Sequence, residues 1–352
     1  MSNLLKLYAF DTLLFGSGRP FTRGNDSWAS TIFPPFPNTL YGLLRGSYFS
    51  MNMEQFKDVD KDGIDPTNYL EILDYGLELE EKDGSTEVIY PLPLDYVQNK
   101  SNKTYIPLSL EKTDKEIISN YESGVSMKLI YKGKEKIRGT DGSHYIKDSE
   151  MDNYLNGNEI TKDSPFLLKD CFVQEPKIGI CRDRFKTENK ELFRISLTRP
   201  ENKESQRINF WIEFEGIDLP KNMISRLGGE GKLVSILNTS VEEEKNDFCF
   251  VNGDIVKIYL ASPAIFPDGW KPKINGAELI SGVIGKPRRI GGWDVQKKLP
   301  KFSKKTVPAG SVYYYKINET ESFLKSVKPM RIGENTDMGF GIIKIAKHIL
   351  TT

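Results

Sequence analysis

LPKNMISRLGGEGKLVSILN, residues 219–238, reads as a helix, a Gly-rich loop and a strand. ESFLKSVKPMRIGENTDMGFGIIKIA, residues 321–346, reads the same way. Two earlier segments echo each other as well. LYAFDTLLFGSGRPF at 7–21 and IYLASPAIFPDGWKP at 258–272 share an apolar run followed by Gly and an aromatic residue. A unit that opens on a strand and closes on helix, Gly loop and strand therefore occurs twice, over about 1–243 and about 250–352. Duplication of this kind constrains the fold before any single motif does. The charged stretch around 242–247 is the expected linker.

Each unit has too few strands and helices for a doubly wound sheet. The expected class is α+β: two tandem ferredoxin-like (RRM-like) modules, each a small antiparallel sheet with helices on one face. Residues 4–15 read as a buried strand, and RINFWIEFE at 207–215 as another. Asn38-Thr39 is the expected cap of a helix whose Leu40, Leu43, Leu44 and Tyr48 share one face. Residues 98–165 are rich in Lys, Asp, Asn, Ser and Gly with weak periodicity, and read as a partly flexible insertion, extending to about 170, in the first module. KIGICRDRFKTENKELFRISLTR at 176–198 reads as a hairpin with its turn near 187–190.

The chain has 352 residues, with Lys+Arg 49 against Asp+Glu 49 and hence no net charge. A free-standing nucleic-acid binder is often basic overall, so a shared or local site is expected, with a basic stripe offset by acidic surface. Residues 54–87 supply such surface, with twelve carboxylates against three lysines. Three widely spaced cysteines, Cys171, Cys181 and Cys249, form no CxxC pair. Reduced cytosolic thiols are the expected state. The N-terminus carries Lys6 and Asp11 and no small-residue cleavage site, so it reads as a strand and not as a signal peptide. No uninterrupted apolar run approaches the ~20 residues of a membrane helix. A cytoplasmic protein without membrane contact is expected.

The basic and aromatic residues concentrate in three places. The loop after the first strand, FGSGRPFTRGNDSW at 15–28, offers Arg19, Phe21, Arg23 and Trp28, and Arg45 on the following helix can reach back to it. The 176–198 hairpin places Arg182, Arg184, Phe185 and Lys186 at or near its tip. KPRRIGGWDVQKKLPKFSKK at 286–305 holds eight Lys/Arg and one Asp, including Arg288, Arg289, Lys297 and Lys298, interleaved with Trp293 and Phe302. Cations neutralise phosphates and rings stack on unpaired bases, so this mixture suits a single strand. Lysine-rich solvated loops with inward-packed rings are the plainer alternative at each place.

Other motifs fail on inspection. In GGEGKL at 228–233 a Leu follows Gly231-Lys232 where a phosphate loop needs Ser or Thr, and Arg226 occupies the position of its first Gly. The loop reads as a helix C-cap with a tight entry into a strand, and Gly228, Gly229 and Gly231 allow its backbone N–H groups to come close to an RNA phosphate. DVDKDG at 58–63 begins like a calcium loop, but Tyr69 stands where the bidentate acid belongs and Pro66 interrupts it. No metal or cofactor is expected. The two histidines, His144 and His348, have no nearby nucleophile-and-carboxylate arrangement, so no enzyme is expected.

DTLLFGSGRPF at 11–21 with STIFPPFPNTLYGLLR at 30–45 resembles the N-terminal signature of a RAMP (repeat-associated mysterious protein) subunit of Cmr-type, type III-B, CRISPR effector complexes. IGICRDRF at 178–185 with LF at 192–193, LGGEGKLVSI at 227–236, GGWDV, LPKF and VPAGSVYYY within 291–315, and GFGIIKI at 339–345 resemble the same family in the same order. The resemblance covers both halves and thins over about 54–88 and 98–170. It implies two ferredoxin-like modules and a non-catalytic scaffold that grips the 5′ handle of the guide RNA. It implies docking onto the large polymerase-like subunit and the backbone RAMP subunits, with no DNA contact. It places Gly228, Gly229, Gly231 and Arg19 on the RNA-facing surface. Guide-processing endoribonucleases of the superfamily typically use a His in the N-terminal module, and none occurs in the first 143 residues here. A ribonuclease and a purely protein-binding bridge are the alternatives.

Overall fold

Ser2–Ala9 lies within an eight-stranded antiparallel sheet. The order across it is Phe166–Leu167, His144–Lys147, Thr86–Pro91, Glu71–Glu80, Arg207–Glu215, Ser2–Ala9, Leu233–Val241 and Asn222–Arg226. The computed structural model describes residues 2–17, 28–29, 31–57, 65–112, 127–161, 165–183, 186–200, 207–241, 249–294, 299–328 and 330–348. At 28–29, 180–183, 186–192, 293–294 and 300 only the backbone is described. The 242–247 linker and the 58–63 acidic motif fall outside these residues.

A second sheet runs Ala277–Val283, Val312–Ile317, Ile255–Leu260 and Ile343–Lys347. It repeats the order of four neighbouring strands of the first: Glu71–Glu80, Arg207–Glu215, Ser2–Ala9 and Leu233–Val241. In each set the strand earliest in the chain sits between the third and the fourth, and the second is outermost. The helices are complementary. The first set has a helix, Pro37–Met51, between its first two strands, and the second has one, Thr320–Val327, between its last two. The molecule is thus mixed α+β, mostly antiparallel and with few helices.

Pro37 opens the first helix, as suits a residue lacking the N–H that the first turn leaves unpaired. Phe36, not Asn38, is the cap residue, and no side chain caps the end. Leu40, Leu43 and Leu44 lie in one core with Leu5, Leu7, Phe210, Ile212, Val234 and Ile236. The expected helix within 219–238 is instead the Asn222–Arg226 edge strand, paired with Leu233–Val241. Met223 and Ser225 turn inward there while Ile224 stays 61% exposed, and the Ser225 hydroxyl meets that of Ser47 on the helix at 2.6 Å. The seven residues between Pro220 and Gly228 are too few for a helix to gain from propagation, and pairing with an existing strand offers immediate partners.

The second sheet is buried on both faces. One face joins Val256, Ile258, Tyr313, Tyr315 and Ile345 to Phe323 and Val327 of the short helix. The opposite face joins Tyr259, Ile280, Val312 and Tyr314 to Tyr90, Tyr96, Tyr105, Leu110, Ile146, Tyr154 and Ile160. The latter set comes largely from the segment read as a partly flexible insertion. Its described residues instead form strands such as Tyr96–Asn99, Ser109–Lys112 and Met127–Ile130 and a helical turn, Met151–Leu155. Weak periodicity reflects their many short strands, each contributing only one or two core side chains.

Two polar groups sit inside this core. Lys257, 2% exposed, donates to the Tyr154 carbonyl and lies over the Tyr154 ring, 4.1 Å from its centroid. Asp95, 1% exposed, accepts from the Tyr314 hydroxyl at 2.6 Å. Burial pulls Lys257 down to about 8 against the opposing pull of Asp95, and burial raises Asp95.

Candidate nucleic-acid interface

Three of the predicted segments converge where the first strand ends. Leu13 exchanges backbone hydrogen bonds with Thr198 at the base of the long hairpin, at 2.7 and 2.8 Å. Gly229 N–H donates to the Leu14 carbonyl at 2.8 Å, and Ile32 N–H to that of Phe15 at 3.0 Å. Trp28–Ala29 pairs in parallel with Arg194 and Ile195 of the hairpin. The loop that contains Arg19, Phe21 and Arg23 therefore leaves and returns at this junction, although those three residues lie outside the described set.

The Gly-rich loop is a tight turn between two strands. Gly228 adopts φ +77°, and a Cβ there would stand 2.3 Å from the Leu14 carbonyl oxygen. At Gly229 a Cβ would meet the Leu14 side chain at 3.0 Å. Gly231, at φ +66°, has open space around it. So Gly228 and Gly229 serve close packing onto the strand exit, and Gly231 faces outward. Lys232 reaches back to the Thr12 hydroxyl at 2.8 Å, and Glu230 pairs with Lys177 of the hairpin at 2.7 Å.

The hairpin runs Val173–Asp183 and Lys186–Arg199, and the expected turn at 187–190 lies instead within its second strand. Thr187 pairs with Arg182 and Leu192 with Ile180, with a register shift between them, so the polar run TENKE continues the strand across an irregularity. Arg184 and Phe185 fall outside the described residues, and of Arg182 and Lys186 only the backbone is described, near the facing strand ends. Arg199 clamps the base through Glu175 at 2.7 Å and Asp11 at 3.0 Å. Arg45 is engaged elsewhere, by Asp65 and by the Thr67 hydroxyl at 3.1 Å.

The second basic cluster is an arm of two short antiparallel pairs, Arg288–Ile290 with Lys304–Thr306 and Trp293–Asp294 with Leu299–Pro300. Ile290 roots it against Phe36, Ile265 and Phe340. Asn38 donates to the Gly291 carbonyl at 3.3 Å, which ties the arm to the helix start that follows the strand-exit loop. Among the described residues Arg288, Arg289, Lys301 and Lys305 have no carboxylate partner, and Phe302 is fully exposed. Lys297 and Lys298 fall outside the described set, as does the Trp293 side chain.

Contrary to the reading from sequence, His144 has a hydroxyl and a carboxylate beside it, with its Nδ1 3.4 Å from the Ser143 Oγ. His144 lies 4.0 Å from Asp141, whose oxygen is already engaged by the Ser143 hydroxyl, and burial lowers its pKa. His348 packs edge-on against Tyr314 at 5.1 Å, and burial holds it at about 4. Among the described residues no group of three His, Cys, Asp or Glu could hold a metal ion, and no helix is long and apolar enough to cross a membrane.

Residues 5–347 match the profile of the family described as CRISPR-associated protein (Cas_Cmr3). The chain belongs to the Cas_Cmr3 family. It is a RAMP-type subunit of the Cmr, type III-B, class of CRISPR effector complex. Its described residues are also similar to chains of solved complexes. One is the type III-B Cmr-beta complex bound to cognate target RNA and AMPPnP, at 16% identity over 88% of this chain and 86% of that one, with TM-score 0.48. The same complex bound to cognate target RNA gives 17% identity over 89% and 86%, with TM-score 0.47. The Csm3-Csm4 subcomplex of the type III-A CRISPR-Cas interference complex gives 10% identity over 91% and 97%, with TM-score 0.36. No curated protein matches the chain. The sequence resemblance to Cmr subunits thus holds for this Cas_Cmr3 chain, and it extends through the segments where the motifs thin.

Proposed function

We propose that this subunit is a non-catalytic RNA-binding scaffold that grips the 5′ handle of the guide RNA and docks onto the large polymerase-like subunit and the backbone RAMP subunits. The reading is carried by the convergence of the strand exit, the Gly-rich turn and the hairpin base, with the basic arm roped to the same segment by Asn38. Cations without carboxylate partners beside an exposed Phe302 suit a phosphate strand with unstacked bases. The repeated strand order supports reading the two sheets as ferredoxin-like modules, each keeping one of its two helices. A net charge of zero fits a groove completed by neighbouring subunits. The test is RNA–protein crosslinking in the assembled complex, with guides that carry or lack the handle. Crosslinks at the arm or the strand-exit loop that depend on the handle are expected. Their absence overturns the grip, and metal-free cleavage of repeat RNA that is lost in His144→Ala overturns the non-catalytic part.

A further inference from the structure

A cleft of about 600 Å³ lies between the two sheets, bordered on one side by the first residues of the second basic cluster. Its walls come from the loop before the first helix, including Pro34, Pro35 and Phe36, from the first sheet and from the turn at 283–288. That volume lies within the range of small-ligand sites, about 300–1,000 Å³, and such sites favour junctions of this kind.

The lining is not simply apolar. Tyr90 and Tyr145, 6% and 8% exposed, both line the cleft. Among the described residues neither hydroxyl has a hydrogen-bond partner. Neither oxygen is sealed away from the cleft, so a ligand seated there can bond both. Burial raises the Tyr145 pKa, which keeps the hydroxyl a neutral donor. Lys286 and Arg288 line the same cleft and are exposed, facing a single lining carboxylate, Asp141, which already accepts from the Ser143 hydroxyl and N–H. The balance favours an anion.

We propose that this cleft binds a phosphorylated nucleoside, with its flat base between the tyrosine and proline walls, its edge bonded by Tyr90 and Tyr145, and its phosphate at Lys286 and Arg288. A fatty chain would leave the hydroxyls unpaired, and a bare anion would leave the walls empty. Arg288 is shared with the handle-gripping reading, whereas Tyr90 and Tyr145 belong to the cleft alone, so Tyr145→Phe separates the two.

Calorimetric titration of the full chain with the four nucleoside 5′-monophosphates, adenosine and inorganic phosphate tests it. At least one monophosphate is expected to bind more tightly than adenosine or phosphate. Tyr145→Phe, which keeps the ring, is expected to weaken that binding about tenfold with unchanged melting temperature. Lys286→Ala is expected to weaken the monophosphate and spare adenosine. No monophosphate binding at millimolar concentration overturns the site, as does binding that ignores both variants. Competition by a short RNA assigns the nucleotide to a strand, and its failure to compete assigns a free mononucleotide.

Discussion

Gly228 lies beneath the Leu14 carbonyl so closely that any Cβ would stand 2.3 Å from its oxygen. The contact fixes the distance between the strand exit and the Gly-rich turn. Gly228→Ala adds a backbone clash to a φ of +77° and is expected to destabilise the fold by at least about 3 kcal/mol. Gly231→Ala, at φ +66° with open space, bears only the conformational cost of about 1–2 kcal/mol. Urea unfolding of the two variants side by side checks the difference.

Lys257 and Asp95 are charged groups sealed between the second sheet and the 90–160 segment. Lys257→Met removes the cation that offsets the buried Asp95 and is expected to cost about 3–5 kcal/mol. Adding Asp95→Asn is expected to recover part of that loss, because the unpaired charge disappears. A double-mutant cycle by denaturant unfolding measures the coupling.

His348 makes one stretch of the pH–stability curve readable. Burial, with lesser repulsion from Lys257, holds its folded pKa at about 4, below the ordinary 6.5. The unfolded chain therefore takes up the proton first as pH falls, and stability drops between about 6.5 and 4. Asp74, raised by burial to about 6, acts in the opposite sense over much of that range. The difference between wild type and His348→Gln removes the Asp74 contribution. Wild type is expected to lose more stability than the variant on acidification, measured by thermal melts from pH 7 to 4.

The arm offers a separable test of RNA binding. Arg288→Ala with Arg289→Ala is expected to lower the slope of log affinity against log salt by about two, one per lost phosphate contact. Phe302→Ser removes a ring that is fully exposed, so folding stability is expected to stay within about 0.5 kcal/mol. Loss of base stacking is expected to weaken handle binding by about 1–3 kcal/mol. Filter binding across a salt titration reads both.

The helix stripe of Leu40, Leu43 and Leu44 was legible because 3.6-residue spacing has one solution. The 321–346 segment was legible for the same reason: its helix is capped by Glu319, which accepts from two backbone N–H groups. The matching 219–238 segment is ambiguous because Met223 and Leu227, four residues apart, satisfy both periods over so short a run, and only the exposed Ile224 breaks the strand pattern. Asn38 was read as a local cap, whereas its partner lies at Gly291. The strand exit, Gly-rich turn and hairpin were each visible in sequence, but their meeting rests on backbone hydrogen bonds that no side-chain pattern records. Lys257 escapes a sequence reading, although the near-continuous apolar run IVKIYL at 255–260 marks a strand with both faces covered and so a lysine drawn into the core. The inter-sheet cleft left no local trace, since its walls come from distant segments.

The double burial of the second sheet bears on how the chain can be taken apart. A fragment beginning near 250 would bare Tyr259, Ile280, Val312 and Tyr314 to water, and would leave Lys257 without its Asp95 counter-charge. The seam suggested by the repeat is therefore not a place to cut. A recombinant piece of the C-terminal half that stays monomeric will need the 90–160 segment supplied with it, and insertions meant to report on assembly belong in the arm, none of whose described residues joins that core.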